Sequence, residues 1–235
     1  MRAAILTIGN EIVSGDVENT NASWIARRLE ELGVKVALLT AVPDDIPVNV
    51  EVVRRERDRV DHLIVTGGLG GTPDDLTREA IAAAYDVPQV VVRELADDLR
   101  ARFAGAPEYA ARWAALPAGA TPLENPLGGA PGFRIGTTWV LPGLPSEAMA
   151  MFDRYAASFE SPHPIGVWRR RLVTRESEIA AFLEEATARW PGVAVGSYPS
   201  FTENGPEVEV VLKGTDTAAL DEARRWLSDA LDTLG

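Results

Sequence analysis

Short apolar runs and amphipathic stretches alternate along the first half of the chain. The first run, Ala3–Ile8, ends at Gly9 and has the length and composition of a strand that is buried on both faces. In the stretch that follows, apolar residues recur on one helical face, and Gly33 ends the helix. Three such strands joined by helical crossovers predict a parallel sheet with helices on both faces. The predicted elements are, in chain order, strand 3–8, helix 21–32, strand 34–42, helix 45–59, strand 62–66 and helix 76–85.

The middle of the chain is less regular, and its pattern predicts shorter elements. Proline and glycine are frequent between Pro117 and Pro131, so we expect a loop there. Two short apolar runs after that loop, 133–136 and 138–141, predict a hairpin or a pair of strands. The other predicted pieces are a strand at 90–92, helical segments at 96–103 and 108–115, and a helix that begins at Ser146.

A stiff, proline-containing stretch at 161–166 marks a boundary between two predicted domains, 1–165 and 166–235. The order strand–helix–strand–strand–helix in the second of these predicts a small α+β domain. Its last two strands meet at a turn, 201–205, that contains the strong turn signal Asn-Gly. The predicted elements of this domain are strand 168–174, helix 179–190, strands 193–199 and 207–212, and helix 218–231.

Composition excludes several classes of protein. Of 235 residues, 23 are basic and 35 acidic, and the resulting charge of −12 disfavours a nucleic-acid partner because phosphate backbones are repelled. Cysteine is absent, which excludes a disulfide scaffold and a thiolate zinc site. No apolar run approaches the ~18 residues of a membrane span, and the first run is too short for a signal peptide, so we expect a cytoplasmic protein without a membrane partner. The histidines, His62 and His163, have no catalytic residues beside them, which disfavours Ser-His-Asp hydrolysis.

The strongest chemical signal is the glycine-rich segment Thr66–Thr77, which lies between a predicted strand and a predicted helix. Open α/β folds bind ligands at this edge of a parallel sheet. Glycines let the backbone approach a phosphate closely, and the N–H groups at a helix start favour an anion. The segment is neither a G-x-G-x-x-G fingerprint nor a Walker loop, because no lysine follows the glycines. The residues expected to hold phosphate are Gly67, Gly68, Gly70, Gly71 and Thr72.

Two carboxylates, Asp74 and Asp75, follow these glycines after Thr72 and Pro73. Because they would repel a bare phosphate, one interpretation places a divalent cation such as Mg²⁺ between carboxylate and phosphate. The other interpretation is that they only cap the next helix, with Thr72 and Asp75 forming a capping box.

Further polar residues follow the first two strands at the same predicted edge. Asp44 and Asp45 end the second strand, and neighbouring parallel strands bring such loops within ~10 Å of each other. Asp44 and Asp75 could therefore serve one site for metal and diphosphate, while Asp45 caps its helix; alternatively Asp44 is only solvated. After the first strand, Glu11 could bind metal or a ribose hydroxyl, and Asn21 could contact a ligand or cap its helix.

Several motifs, which follow one another along the chain, resemble those of the molybdopterin-binding, MoaB/Mog-like domain. They most closely resemble the version at the start of proteins of the competence/damage-inducible CinA type. The matching segments are Gly9–Glu11, Ser14–Gly15, Asn19–Asn21, Val42–Asp45, Gly67–Thr77, Gly129–Phe133, Leu141–Glu147 and Thr174–Ser177. The resemblance implies a three-layer α/β sandwich with a mostly parallel sheet that binds molybdopterin or a nucleotide. It further implies a homo-oligomer, since such relatives self-associate.

The resemblance also implies site residues and a reaction. Asp44 and Asp75 align with the catalytic aspartates of the family's molybdopterin adenylyltransferases, and Gly9, Gly143 and Ser146 join the ligand-binding set. CinA-type members resemble divalent-metal-dependent pyrophosphatases that act on ADP-ribose or FAD. Both reactions need a clamped metal and positioned phosphates.

This chain departs from the family's pattern at two positions of the site. Asn10 stands where the family usually has Asp, and Gly71 stands where it usually has Pro, which makes the loop more costly to order. We expect neither a nicotinamide-mononucleotide deamidase domain nor FAD synthesis in these 235 residues. Three functions remain open: a metal-dependent nucleotide pyrophosphatase, which leads; a molybdopterin adenylyltransferase of cofactor biosynthesis; and a non-catalytic molybdopterin- or nucleotide-binding module.

Overall fold

A computed structural model describes residues 1–162, 164–203 and 205–233. The chain divides into two compact units, Met1–Ser161 and Pro162–Gly235. The strands are β1 (Arg2–Ile8), β2 (Lys35–Val42), β3 (His62–Thr66), β4 (Gln89–Val91), β5 (Ala115–Pro117), β6 (Thr121–Leu123), β7 (Gly132–Ile135), β8 (Thr138–Leu141), β9 (Gly166–Leu172), β10 (Val193–Thr202) and β11 (Gly205–Gly214). The helices are α1 (Asn10–Ser14), α2 (Thr20–Glu31), α3 (Ile46–Arg57), α4 (Thr77–Ala84), α5 (Arg93–Arg102), α6 (Pro107–Ala111), α7 (Pro145–Arg154), α8 (Glu176–Arg189) and α9 (Thr217–Asp232), with short 3₁₀ turns at Arg112–Ala114 and Ala156–Ser158.

The first unit is built on a six-stranded sheet with the order β2-β1-β3-β8-β7-β6. The first four strands of that order are parallel, and β7 and β6 are antiparallel to their neighbours. Thr66 pairs with Thr7 on one side and with Leu141 on the other, so β1, β3 and β8 end at the same edge. The mostly parallel sheet predicted from the sequence is therefore confirmed. The segments that follow β1, β2, β3 and β8 lie together at the carboxyl edge of this sheet.

Helices cover both faces of this sheet, which gives the predicted three layers. In β1, Leu6 and Ile8 pack into the core beneath α3 and α4, whereas Ala3 and Ile5 pack into the core beneath α2 and α7. Alternate residues of one strand thus enter two different cores, because successive side chains of a strand point to opposite faces. This accounts for the nearly continuous apolar run that marked the strand in the sequence.

The segment 117–131 is not the continuous loop that its proline and glycine content predicted. Thr121–Leu123 forms the edge strand β6, and Pro122 pairs with Phe133 of β7. An edge strand tolerates proline, since its N–H side need not join a ladder. Pro117 likewise ends β5, which pairs with Gln89 of β4 in a separate two-stranded sheet.

Three helix predictions also need correction. The predicted helical segment 108–115 ends as an α-helix at Ala111, because a 3₁₀ turn and then β5 follow. The short helix α1 was not predicted. Asn21 does not cap α2: Asn19 does so, accepting a hydrogen bond from the N–H of Ala22 at 3.2 Å, and Asn21 lies inside the helix.

The second unit has the predicted order strand–helix–strand–strand–helix. Its antiparallel sheet has the order β10-β11-β9, and one face packs against α8 and α9. Val208, Val210 and Leu212 of β11 are buried in that core. Asn204 of the predicted turn and His163 lie outside the described residues.

Two further observations concern the functions excluded above. His62 is buried with its ring edge-on to Phe159, at 5.2 Å between ring centroids, and burial lowers the pKa of its imidazole. This packing is that of a structural residue. Among the described helices, none combines the length and the apolar composition that crossing a bilayer requires.

Candidate active site at the carboxyl edge of the sheet

A cavity of about 490 Å³ opens where β1, β2, β3 and β8 end. The segments after these strands form most of its wall, and Trp113 of the 3₁₀ turn completes it. The predicted site residues that line it are Gly9, Glu11, Asn21, Asp44, Gly67, Gly68, Gly70, Asp74, Asp75 and Gly143. Three others do not line this cavity: Gly71 and Thr72 belong to an adjoining one, and Ser146 is exposed on α7.

The glycine turn after β3 needs glycine for steric reasons. Gly67 and Gly68 have φ values of 101° and 62°, in the left-handed region that other residues rarely adopt. A side chain at Gly67 would collide with the carbonyl of Ile8, and one at Gly68 with the hydroxyl of Thr77. That hydroxyl donates a hydrogen bond to the Gly67 carbonyl at 2.9 Å, which ties the turn to the start of α4.

Two adjacent backbone donors of this turn have no partner among the residues that the structure describes. Gly68 and Leu69 both line the cavity, and neither N–H donates to another residue that the structure describes. Buried backbone N–H groups are nearly always paired in folded proteins, so a pair of unsatisfied donors beside a cavity is a place for an acceptor. This geometry fits a phosphate oxygen.

Asp75 organises the glycine turn rather than capping the next helix. Its Oδ1 accepts the N–H of Gly70 at 2.8 Å, and its Oδ2 accepts the N–H of Thr72 at 2.8 Å and the Thr72 hydroxyl. Helix α4 begins only at Thr77, and Leu76 before it makes no side-chain cap. The interpretation of Thr72 and Asp75 as a helix-capping box is therefore wrong.

Asp44 is held by a reciprocal pair of hydrogen bonds to Asn10. The Asn10 N–H donates to Asp44 Oδ2 at 2.8 Å, and the Asp44 N–H donates to Asn10 Oδ1 at 3.2 Å. Burial raises the pKa of the Asp44 carboxyl, the Asn10 N–H opposes the rise, and repulsion from Glu11, Asp74 and Asp75 adds to it. Asp44 is thus partly buried among like charges, not merely solvated. Asp45 caps α3 as predicted, accepting the N–H of Val48 at 3.0 Å.

The remaining predicted residues brace the cavity wall. Glu11 folds its carboxylate back over Gly9, where a Cβ would lie 2.6 Å from Oε1. Asn21, which is 7% exposed, donates from Nδ2 to the carbonyl of Gly143 at 2.7 Å and so fastens the segment after β8 to α2. Its Oδ1 is buried and has no partner among the described residues.

Several lining residues were not predicted. Glu147 lies within the motif 141–147, and its Oε2 accepts a hydrogen bond from Asn125 at 2.9 Å, but only the motif's glycine and serine were assigned. Trp113 is 92% buried and its indole N–H has no described acceptor; no spacing in the sequence connects it with the glycine turn. Ile12, Val17 and Leu144 add an apolar part to the wall, which suits a flat ring.

Gly71 is not simply a looser substitute for proline. Its N–H donates to the hydroxyl of Tyr109 at 3.2 Å, and a Cβ at this position would lie 2.6 Å from the Tyr109 ring. Proline could not donate this hydrogen bond and would displace the ring. Tyr109 in turn packs edge-on to Trp113, at 5.8 Å between centroids, so the turn is connected to the cavity wall through two aromatic rings.

We expect Tyr109→Phe to loosen the glycine turn without unfolding the protein. The variant keeps the ring but removes the acceptor of the Gly71 N–H, a loss of about 1 kcal/mol for a single neutral hydrogen bond. Hydrogen exchange should become faster at residue 71. Tyr198→Phe, an exposed tyrosine of the second unit, is the control; equal protection of residue 71 in Tyr109→Phe and wild type would contradict the coupling.

The donor set fits a divalent cation only with help from a ligand. No three His, Asp or Glu side chains within residues 1–162, 164–203 and 205–233 are placed to hold a metal by themselves. Asp44 and Asp75 nevertheless offer carboxylate oxygens to one cavity, and burial together with repulsion from neighbouring carboxylates raises the pKa of Asp44. Mg²⁺ is commonly bound by one or two carboxylates together with substrate phosphates, and this arrangement matches that pattern.

Comparison with known proteins gives two matching family models. Residues 4–160 match the model described as "Probable molybdopterin binding domain", and residues 171–234 match "FAD synthase, middle domain". A protein of Archaeoglobus fulgidus is 34% identical over 235 residues, covering 99% of both chains. A CinA-like protein of Frankia casuarinae is 43% identical over 165 residues, covering 65% of this chain and 38% of its own. The crystal structure of the protein CinA from Thermoplasma acidophilum, titled as of unknown function, superposes with a TM-score of 0.64 at 29% identity, covering 68% of this chain and all of that one.

Proposed function

Since the chain belongs to the molybdopterin-binding domain family and has CinA-like relatives, we propose that its cavity hydrolyses the diphosphate bridge of a nucleotide such as ADP-ribose or FAD, with a divalent cation. One observation carries the proposal. Two unpartnered backbone donors, at Gly68 and Leu69, share a cavity with the carboxylates of Asp44, Asp74 and Asp75.

Donors and carboxylates in one cavity suit a diphosphate better than other ligands. The N–H groups of the glycine turn favour the phosphate oxygens, whereas the carboxylates repel them. A divalent cation held by Asp44 and Asp75 resolves this conflict; when bound, it neutralises charge on the phosphate oxygens. A neutral ligand would need neither the unpaired donors nor so many carboxylates.

The proposed reaction uses the chain's residues for positioning and for proton transfer. Water attacks one phosphorus atom, the P–O bond of the bridge breaks, and two phosphomonoesters leave. Asp44 is placed to accept the proton that the water loses, because it lines the cavity and the Asn10 N–H holds its Oδ2 in position. The Gly68 and Leu69 N–H groups stabilise the charge that develops on the phosphate.

A second candidate is the transfer of an adenylyl group to molybdopterin. The apolar wall of Ile12, Val17 and Leu144 and the family's description favour a flat heterocycle such as a pterin in the same cavity. The chemistry at phosphorus is similar, but a phosphate of the pterin, rather than water, then attacks the α-phosphorus of ATP, and pyrophosphate leaves. A non-catalytic binding module is the remaining alternative.

The experiment that separates these functions incubates the full chain with ADP-ribose, and separately with FAD, in the presence of Mg²⁺, Mn²⁺ or Co²⁺. We expect AMP to be released, and EDTA to stop its release. An Asp97→Asn variant, changed on the exposed face of α5, serves as the matched control and should retain full activity.

The outcomes distinguish the candidates. ATP consumption that depends on added molybdopterin, without hydrolysis of ADP-ribose or FAD, would establish the adenylyltransferase instead. Binding by calorimetry with no product under any condition would leave a binding module, and the hydrolase proposal would then be rejected.

A further inference from the structure

A second cavity, of about 220 Å³, adjoins the glycine turn and shares only Gly70 and Asp75 with the first. Its wall includes Gly71 and Thr72 of the turn and three donor-bearing side chains, Arg78, Gln89 and Arg112. These three side chains come from α4, β4 and the 3₁₀ turn, so segments far apart in the sequence bring donors to one place.

Arg78 is a buried cation with a free donor. It is only 5% exposed, and its terminal nitrogens donate to the carbonyls of Gly70, at 3.2 Å, and Leu69. Its Nε is buried and has no acceptor among the described residues, and no described carboxylate forms an ion pair with the guanidinium. Burial disfavours this charge, and the carboxylates of Glu79 and Asp75 compensate by attraction without a direct ion pair, so an anion bonded to Nε would relieve part of the remaining cost.

Gln89 and Arg112 add further donors without partners. The Nε2 of Gln89 is buried and unsatisfied. Arg112 is exposed, and its guanidinium makes no hydrogen bond or ion pair with a described residue. The cavity therefore presents the Arg78 Nε–H, the Gln89 amide N–H and the Arg112 guanidinium without hydrogen-bond acceptors among the described residues.

The two carboxylates at this cavity, Asp75 and Glu79, accept no hydrogen bond from these three side chains among the described contacts. Asp75 already accepts two backbone N–H groups and a hydroxyl on its two oxygens. Glu79 is exposed and forms no ion pair with a described residue, although its charge attracts the Arg78 guanidinium and raises the pKa of Arg78 against the effect of burial.

We infer that this second cavity binds a small tetrahedral oxyanion, either inorganic phosphate or the phosphate end of a monoester, on Arg78, Gln89 and Arg112. The inference is independent of the proposed hydrolysis, because it rests on none of the carboxylates of the first cavity. An anion bound to Nε would fix the plane of the Arg78 guanidinium. Since that guanidinium holds the carbonyls of Leu69 and Gly70, the glycine turn would become more ordered as the anion binds.

The test measures binding of inorganic phosphate, and separately of methyl phosphate, to the full chain by calorimetry. Arg112→Gln and Gln89→Leu should each weaken binding at least tenfold. Arg93→Gln, which changes an exposed arginine of α5 away from the cavity, is the charge-matched control and should bind as wild type does. Tighter binding of methyl phosphate than of phosphate would identify the monoester as the preferred form.

Hydrogen exchange provides the second readout. Saturating phosphate should slow hydrogen exchange at residues 69–72 in the wild type and leave it unchanged in Arg112→Gln. Because Arg112 is exposed, we expect this variant to keep its fold. Absence of saturable binding in the millimolar range would overturn the inference. So would binding that is equally strong in both cavity variants, because the anion would then lie elsewhere, for example at the Gly68 and Leu69 N–H groups.

Discussion

Asp75→Asn is expected to abolish turnover and to loosen the glycine turn in the same variant. An amide has one acceptor oxygen in place of two, so at least one of the N–H groups of Gly70 and Thr72 loses its partner. Hydrogen bonds to charged groups contribute about 1.5–3 kcal/mol each, and we expect a loss of unfolding free energy in that range. The rate should fall by ~10²- to 10⁴-fold, since both the cation ligand and the phosphate cradle are damaged.

Asp74→Asn is the matched control for this prediction. It removes the same charge from the neighbouring position of the same cavity, but Asp74 is exposed, and the N–H groups of Gly70 and Thr72 donate to Asp75 instead. Urea unfolding and hydrogen exchange at residues 70–72 separate the two variants. If Asp75→Asn kept wild-type protection at 70–72 while losing activity, its role would be confined to the cation.

Asp44→Asn should abolish activity but leave the protein as stable as before, or more so, at neutral pH. Its pKa is raised in the folded state, so the native protein holds this proton more tightly than the unfolded chain does. The stability that this provides is present below the unfolded pKa and is lost as the pH rises through the higher native pKa. Because asparagine does not ionise, the variant does not lose this stability as the pH rises. Its amide oxygen still accepts the hydrogen bond from the Asn10 N–H.

The measurement is the melting temperature of both proteins between pH 4 and pH 7, alongside the rate of AMP release. The difference in melting temperature, variant minus wild type, should grow with pH, and the rate should fall by ~10²-fold or more if Asp44 takes the proton. If that difference were instead more negative at pH 7 than at pH 4, the Asp44 carboxylate would be shown to stabilise the fold.

The layered sheet could be predicted because its signals are local. β3 was predicted with its observed bounds, His62–Thr66, since five consecutive buried positions leave an uninterrupted sequence pattern. Asp45 was recognised as a helix cap for the same reason, because a cap acts on N–H groups only a few positions away. The meeting of Asp44 and Asp75 at one cavity followed from parallel topology alone.

The features that sequence reasoning missed depend on distant partners. Proline in 117–131 suggested a loop, but Pro122 is tolerated at the edge of a sheet whose neighbouring strand, β7, lies further along the chain. Trp113 enters the cavity wall only because a 3₁₀ turn brings it there. The anchoring of the glycine turn by Asp75 was missed because a capping box, one of the two interpretations, uses the same residue types at the same spacing.

The pairing of Gly71 with Tyr109 makes two positions, 38 residues apart, mutually dependent. Any side chain at 71 would displace the Tyr109 ring, and a ring without a hydroxyl at 109 would leave the Gly71 N–H without a hydrogen-bond acceptor. Neither position can therefore change alone without a cost. A proline at 71 would restrict the backbone through its own ring instead of through the hydrogen bond to Tyr109. Such a change could arise in evolution only if both residues were replaced together.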